Sequence, residues 1–175
     1  FWTDLTNSLL FILLPLSSFL ALILVSQGVV QNFSDYLTTT SGQVIPGGPA
    51  ASQVAIKQLG TNGGGFFGTN SSHPLENPTP ISNLFQIMAI LVIPIAMVFC
   101  FGDLARQKAH ARALFATMGL ILLAGLAVML WAEQRIHPLT GDRSWLEGKE
   151  LRFTNDSALV WASFTTAASN GSVNA

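Results

Sequence analysis

Three long apolar runs without charged residues divide this chain, and polar segments rich in glycine, serine and asparagine separate them. The runs cover residues 9–25, 84–101 and 113–132. A helix that crosses the hydrocarbon core of a bilayer needs about 20 mostly apolar residues, with about 17 as the lower limit. The pattern therefore predicts three membrane-spanning helices in an all-α membrane protein.

Two shorter segments outside these runs predict helices that enter the membrane and turn back. Residues 49–59 begin with a proline, which suits the first position of a helix, and place apolar residues on one face. Residues 156–168 are mostly apolar and are long enough for about three helical turns. Each segment ends at a polar turn, which begins at Gly60 in the first case and at Ser169 in the second.

The two polar turns repeat one order of residue types. Each lies at the same distance, within one position, from the end of the preceding apolar run. We therefore expect two successive repeats of span, re-entrant helix, turn and span. The alternative is a chance coincidence of two Asn-Gly turns, which are frequent in loops. The matching residues are Thr61-Asn62-Gly63-Gly64 and Ser169-Asn170-Gly171-Ser172.

The expected boundaries of the repeats follow from these elements. Residues 1–112 form one repeat, with its turn at residues 60–65, hereafter the first turn. Residues 113–175 begin the next repeat, and the sequence stops soon after its turn at residues 169–172, hereafter the second turn. The chain begins at Phe1 rather than at a methionine, so we expect a fragment of a larger membrane protein.

The composition of the turns favours a dehydrated alkali cation. Irregular backbone at membrane depth is tolerated only where it is buried in protein or lines a watery cavity. Rings of carbonyl oxygens can replace the hydration shell of potassium, and glycine permits the φ angles that turn successive carbonyls toward one axis. Thr61 and Ser169 add hydroxyl oxygens, and the C-terminal ends of both short helices favour a cation. Neither turn contains a carboxylate, which argues against a calcium site.

Composition and charge agree with a membrane location. Only 10% of the 175 residues are charged, whereas soluble domains average about 25%. The mean hydropathy is +0.48. The formal net charge is -1, so the chain has no electrostatic basis for binding nucleic acid.

The distribution of basic residues predicts an orientation in the membrane. The loop at residues 102–112 contains three arginine and lysine residues against one aspartate. Residues 28–80, on the other side of the membrane, contain a single lysine. Short loops rich in lysine and arginine lie on the cytoplasmic side, so we expect the loop 102–112 to be cytoplasmic and both turns to face outside.

Two other features suggest different chemistry. Gly63-x-Gly65-x-x-Gly68 matches the spacing of a dinucleotide-binding loop, but the prolines that follow leave no helix to hold a pyrophosphate. The sequence also lacks a P-loop, so we expect no nucleotide on this chain. Glu76, close to the first turn, either attracts cations or serves as a hydrogen-bonded loop carboxylate.

Several stretches resemble one family of membrane proteins along the whole chain. The longest is the segment 58–67, which reads QLGTNGGGFF, followed by NSSHP at 70–74 and ENPT at 76–79. EGKELRF at 147–153 and TTAASNGSVNA at 165–175 agree as well. These segments resemble the potassium-binding A subunit of Kdp-type potassium-transporting ATPases.

The resemblance implies a fold, a site and partners. The family resembles a potassium channel folded from one chain with four non-identical repeats, of which this sequence would hold the second and third filters. A separate P-type ATPase subunit hydrolyses ATP and two small membrane subunits complete the complex, so no catalytic site is expected here. The bilayer implied is the cell membrane, plasma or inner. The resemblance assigns potassium contacts to Thr61, Asn62, Gly63, Gly64, Ser169, Asn170 and Gly171.

The function expected is that of a potassium-binding and translocating, channel-like subunit of an ATP-driven uptake pump. Potassium is its transported ligand. The alternative is a passive potassium channel or an ion-coupled potassium transporter of the same architecture, because the physics of a pore is common to all of them.

Overall fold

The computed structural model describes residues 1–133, 150 and 152–175. Within them the fold is built almost entirely of helices, which confirms the all-α prediction; the only strands are a two-residue antiparallel pair, β1 and β2. In chain order the elements are α1 (Trp2–Ser8), a π-helical stretch (Leu9–Leu13), α2 (Leu14–Ser26), β1 (Leu37–Thr38), β2 (Val44–Ile45), α3 (Ala50–Leu59), a 3-10 turn (Asn70–Ser72), α4 (Pro80–Leu104), α5 (Lys108–Glu133) and α6 (Asn155–Ala167).

Among the residues that the structure describes, three helices are long and apolar enough to cross a membrane, as predicted. They cover Trp2–Ser26, Pro80–Leu104 and Lys108–Glu133, and contain 25, 25 and 26 residues. At 1.5 Å per residue each is close to 38 Å long, more than the roughly 30 Å hydrocarbon core. Each predicted apolar run lies inside one of these helices. The helices extend past the runs because flanking polar residues continue the same backbone hydrogen bonding.

The connection between the second and third spans is shorter than the sequence indicated. The predicted loop covered residues 102–112, but α4 continues to Leu104 and α5 already begins at Lys108. Arg106, with a φ angle of 55°, makes the tight reversal between the two helices. The basic residues of this connection therefore lie at a helical hairpin rather than on an open loop.

The N-terminus of α4 is fixed by a capping box that also reaches the first span. The hydroxyl of Thr79 accepts a hydrogen bond from the backbone of Ser82 at 3.0 Å, and the hydroxyl of Ser82 accepts one from the backbone of Thr79 at 3.0 Å. Thr79 also donates to Gln27, just past the end of α2, at 2.8 Å. One threonine thus stabilises the start of α4 and ties it to the end of α2.

The short helix α3 is buried between the first and second spans. Ala51, Val54 and Ala55 of α3 pack with Leu24 of α2 and Ala89 of α4 in one apolar cluster. Small side chains on α3 let the backbones approach closely, as is usual where membrane helices pack. A second cluster joins α4 to α6 through Ile87, Ile90 and Trp161. Helix α4 therefore supports both short helices, and so both turns.

Candidate functional site

The helix α3 ends in a defined C-terminal motif that shapes the first turn. The N–H of Thr61 donates to the carbonyl of Gln58 at 3.2 Å, and the N–H of Asn62 donates to the carbonyl of Lys57 at 3.0 Å. This pair of bonds is a Schellman motif, which satisfies the last carbonyls of a helix while reversing the chain.

The helix α6 ends in the same motif at the second turn. The N–H of Ser169 donates to the carbonyl of Thr166 at 3.1 Å, and the N–H of Asn170 donates to the carbonyl of Thr165 at 2.8 Å. The two turns thus share backbone geometry as well as residue types. Both short helices present their C-terminal, partially negative ends at the turns.

The reversing residue is not a glycine in either turn. Thr61 has a φ angle of 53° and Ser169 has a φ angle of 54°, in the left-handed region where this motif usually carries glycine. That conformation costs an L-residue roughly 1–2 kcal/mol, and a β-branched residue there is a genuine outlier. Strain of this kind is concentrated at functional sites, where the surrounding structure holds it in place.

The strain at Thr61 predicts that a glycine would stabilise the fold. We expect Thr61→Gly to raise the stability of the purified complex by about 0.5–1 kcal/mol, because relief of the left-handed strain outweighs the added freedom of the unfolded chain. Thermal unfolding in detergent measures the effect, and Thr117→Gly, inside the helical α5, is the control that should be destabilising. A loss of stability in Thr61→Gly would contradict the prediction.

The two turns lie directly against each other. A Cβ atom at Gly63, where φ is 73°, would overlap the backbone of Gly171 and the backbone nitrogen of Ser172. A Cβ atom at Gly171 would lie 3.3 Å from the carbonyl oxygen of Asn62. The backbones of the two turns are therefore in direct contact. Position 63 requires glycine both because there is no space for a side chain and because its φ angle is positive.

Most carbonyl oxygens of the turns are available to a ligand. The exceptions are Asn170 and Ser172. The carbonyl of Asn170 lies 2.9 Å from the Thr165 hydroxyl but keeps a second lone pair, and the carbonyl of Ser172 accepts the indole N–H of Trp161 at 3.1 Å. Available carbonyls beside helix C-termini suit a cation stripped of water. In the part of the chain that the structure describes, six carbonyl oxygens of the turns accept no hydrogen bond: those of Thr61, Asn62, Gly63, Gly64, Ser169 and Gly171.

The segment that continues from the second turn alternates between exposed and buried side chains. Ser169, Gly171 and Val173 are exposed, while Asn170 and Ser172 are buried at 7% and 0% exposure. The buried members are held from behind. The carbonyl of Ser172 accepts a hydrogen bond from the Trp161 indole at 3.1 Å, and the Thr165 hydroxyl, whose single proton the carbonyls of Ser172 and Asn170 share, lies 2.9 Å from each. One edge of this segment is thus fixed to α6 and the other is open.

A buried ion pair holds the loop that follows the first turn. Glu76 is fully buried, and one of its carboxylate oxygens accepts the Lys57 ammonium at 2.6 Å. The other accepts the backbone N–H of Phe67 at 2.8 Å. Burial lowers the pKa of the Lys57 ammonium, and the hydrogen bond and charge of Glu76 oppose that shift. Of the two alternatives left open for Glu76, the structure favours the hydrogen-bonded carboxylate.

Arg152 ties the loop after the first turn to the segment that precedes α6. Its guanidinium donates to the carbonyl of Asn77 at 2.7 Å and to the carbonyl of Ser72, and pairs with Glu150 at 3.2 Å. The sequence pattern did not single out this residue. The residue type could have indicated this role, because the guanidinium of an arginine presents five hydrogen-bond donors in a fixed fork that can bridge carbonyls of separate loops.

These features define a class: a helical membrane protein in which two short helices packed against the spans end at polar turns that contact each other. Within that class, the family model described as "Potassium-transporting ATPase A subunit" matches residues 1–175. The chain belongs to this family.

Two curated relatives show how much of the family's length is present. The chain is 53% identical to a protein of Pseudomonas aeruginosa over 184 residues, covering 100% of this chain and 33% of the relative. It is 48% identical to a protein of Clostridium botulinum (strain Eklund 17B / Type B), covering 99% of this chain and 34% of the relative. Both relatives are named potassium-transporting ATPase potassium-binding subunit. The chain thus spans about a third of the length of the curated relatives it matches.

Proposed function

We propose that this chain is part of a potassium-binding and translocating, channel-like subunit of an ATP-driven potassium uptake pump. The observation that carries the proposal is the pair of turns with the same reversing geometry, packed backbone to backbone, with carbonyl oxygens that accept no hydrogen bond from the described part of the chain. The names of the relatives, which specify potassium binding and an ATPase, agree with it.

Potassium contacts are proposed at both turns. Carbonyl oxygens replace the water of a potassium ion at little cost when they are already fixed in place, and the Schellman motifs fix these. The helix C-termini add negative potential without a formal charge, which suits a monovalent ion. The proposed contact residues are Thr61, Asn62, Gly63, Gly64, Ser169, Asn170 and Gly171.

The proposed arrangement in the membrane follows the two repeats. Residues 1–112 form one repeat and residues 113–175 the beginning of the next. The basic hairpin between α4 and α5 lies in the cytoplasm of the cell and both turns face outside, as the excess of lysine and arginine near that hairpin favours. Potassium then enters the turns from the extracytoplasmic side of the cell membrane.

The energy source is proposed to lie on a partner. A P-type ATPase subunit would hydrolyse ATP, and small membrane subunits would complete the complex, while this chain holds the ion and no nucleotide. The 175 residues contain no aspartyl-phosphate motif, which agrees with this division of labour.

An uptake experiment separates the pump from its alternative. The complete complex, reconstituted in vesicles, should accumulate potassium against a gradient only when ATP is present, and its ATP hydrolysis should rise with potassium but not with sodium. Potassium flux that proceeds without ATP, at the same rate and only down the gradient, would instead support a passive channel. Flux driven by a proton or sodium gradient would support an ion-coupled transporter.

A further inference from the structure

One side chain connects the first short helix to the second turn. Gln58, fully buried in the last turn of α3, accepts a hydrogen bond on its Oε1 atom from the side-chain amide of Asn170 at 3.1 Å, and the hydroxyl of Ser172 lies 3.1 Å from the same atom. The partners lie 112 and 114 positions away along the chain. Helix α3 therefore holds the second turn directly.

The other end of the same amide group is fixed by the first repeat. The Nε2 atom of Gln58 donates to Ser71 and to Gln86, each at 2.9 Å. Gln86 in turn donates to the carbonyl of Glu76 at 3.0 Å. Both protons of the amide are thus used and its oxygen accepts from Asn170, so the orientation of the carboxamide is determined by its partners.

The second turn depends on this contact for its shape. The side chain of Asn170 donates to Gln58, while its oxygen accepts the backbone N–H of Ser172 at 2.7 Å and the Ser172 hydroxyl at 2.6 Å. Gln58, Asn170 and Ser172 form a closed set of hydrogen bonds directly behind the exposed Gly171. In a fully buried network, loss of one member leaves its neighbours unsatisfied.

We propose that Gln58 is a positioning residue that sets the distance between the two turns and thereby the discrimination between potassium and sodium. It touches no ion; it acts through Asn170 and Ser172. The inference rests on the proposed function and adds to it a residue outside the two turns.

The test uses two substitutions that we expect to rank in one order for stability and in the reverse order for potassium–sodium discrimination. Gln58→Glu keeps an oxygen that accepts from Asn170 and Ser172 but places a carboxyl group in a buried site. Gln58→Met keeps the size, adds no charge and removes the contacts with Asn170 and Ser172, together with the two bonds that Nε2 donates. In the complete complex we expect Gln58→Glu to lower the stability more than Gln58→Met does. Gln58→Met should raise the potassium concentration for half-maximal ATP hydrolysis about tenfold more than Gln58→Glu does. It should also reduce potassium–sodium discrimination.

Two further variants serve as a control and as a substitute. Gln53→Met, on the same helix and away from this network, should leave both readouts as in the wild type. Ser172→Ala removes a single hydroxyl and is the variant used if Gln58→Met does not assemble; we expect about a threefold shift of the potassium response.

The outcomes are distinct. The positioning role is wrong if potassium–sodium discrimination falls in proportion to the loss of stability across Gln58→Met, Gln58→Glu and Ser172→Ala. It is also wrong if discrimination keeps its wild-type value in all three variants. If wild-type hydrolysis does not respond to potassium at all, the proposed function fails with it. If ATP hydrolysis by the wild type depends on potassium and the variants give the same potassium response, only the role of Gln58 is overturned.

Discussion

Gly63→Ala is expected to shift the potassium response of the complex by more than tenfold or to abolish it. The Cβ atom would overlap the backbone of Gly171 and the nitrogen of Ser172, and backbone cannot move aside as a flexible side chain can. The left-handed φ angle adds roughly 1–2 kcal/mol of strain. The turns would have to separate, which widens the site that the carbonyls form. The measurement is a potassium titration of ATP hydrolysis, with sodium in parallel.

Gly64→Ala is the matched control for this experiment. Gly64 also has a positive φ angle, 85°, but a Cβ atom there meets nothing within 4 Å. Both variants carry the conformational strain, and only Gly63→Ala carries the overlap. Equal potassium responses in the two would show that the contact between the turns does not matter for the ion, and would count against the proposed site.

Glu76→Gln is expected to be the most destabilising of the substitutions considered. It leaves the Lys57 ammonium, whose side chain is 2% exposed, without a negative partner. Breaking a buried pair from one side costs about 3–5 kcal/mol, because an uncompensated charge remains. Thermal unfolding of the complex measures this loss. The double variant Lys57→Met with Glu76→Gln removes the charge too, so we expect it to recover most of the stability.

The pH dependence of the same variant has a defined sign. Without Glu76, the interactions that raise the pKa of Lys57 are gone and burial alone lowers it. The folded state then binds fewer protons than the unfolded state, whose lysine titrates near 10.4, so stability increases with pH between the two pKa values. The unfolding temperature of Glu76→Gln should therefore recover more than that of the wild type as the pH rises toward the pKa of an unfolded lysine.

An exposed ion pair provides the control for Glu76. Lys108 and Asp103 lie 3.3 Å apart, but their side chains are 81% and 66% exposed. Solvent screens such a pair, so Asp103→Asn should change the unfolding temperature little. If Glu76→Gln behaves like Asp103→Asn, the buried pair contributes nothing and our interpretation of Glu76 is wrong.

The spans could be predicted from the sequence because their signal is local. Length and the absence of charge suffice to identify a helix that crosses a bilayer. The short helices were also predicted, with ends within about one residue, since proline and the polar turns mark them. The observed helix α3 begins at Ala50 and ends at Leu59, against a predicted 49–59. The span ends were less accurate, because caps such as Thr79 extend a helix into polar sequence.

The site was less accessible to sequence reasoning. A glycine is the usual reversing residue, so nothing in the pattern indicated that Thr61 and Ser169 would take this position. Gln58 was missed because its partners are more than a hundred residues away, and no spacing rule relates them. Lys57 did leave a signal: a charge on an otherwise apolar short helix requires a partner, and the acidic residue that follows in the next loop is Glu76.

The dependence of α3 on residues near 170 has a consequence for biogenesis. At about 5–20 residues per second, a ribosome needs roughly 6–22 seconds to pass from Gln58 to Asn170, a separation of 112 positions. During that interval the amide of Gln58 lacks two of its four final partners. The buried amide is thus incompletely paired until residues 170–172 have been made, and we expect a product that ends before residue 170 to be degraded by cellular quality control.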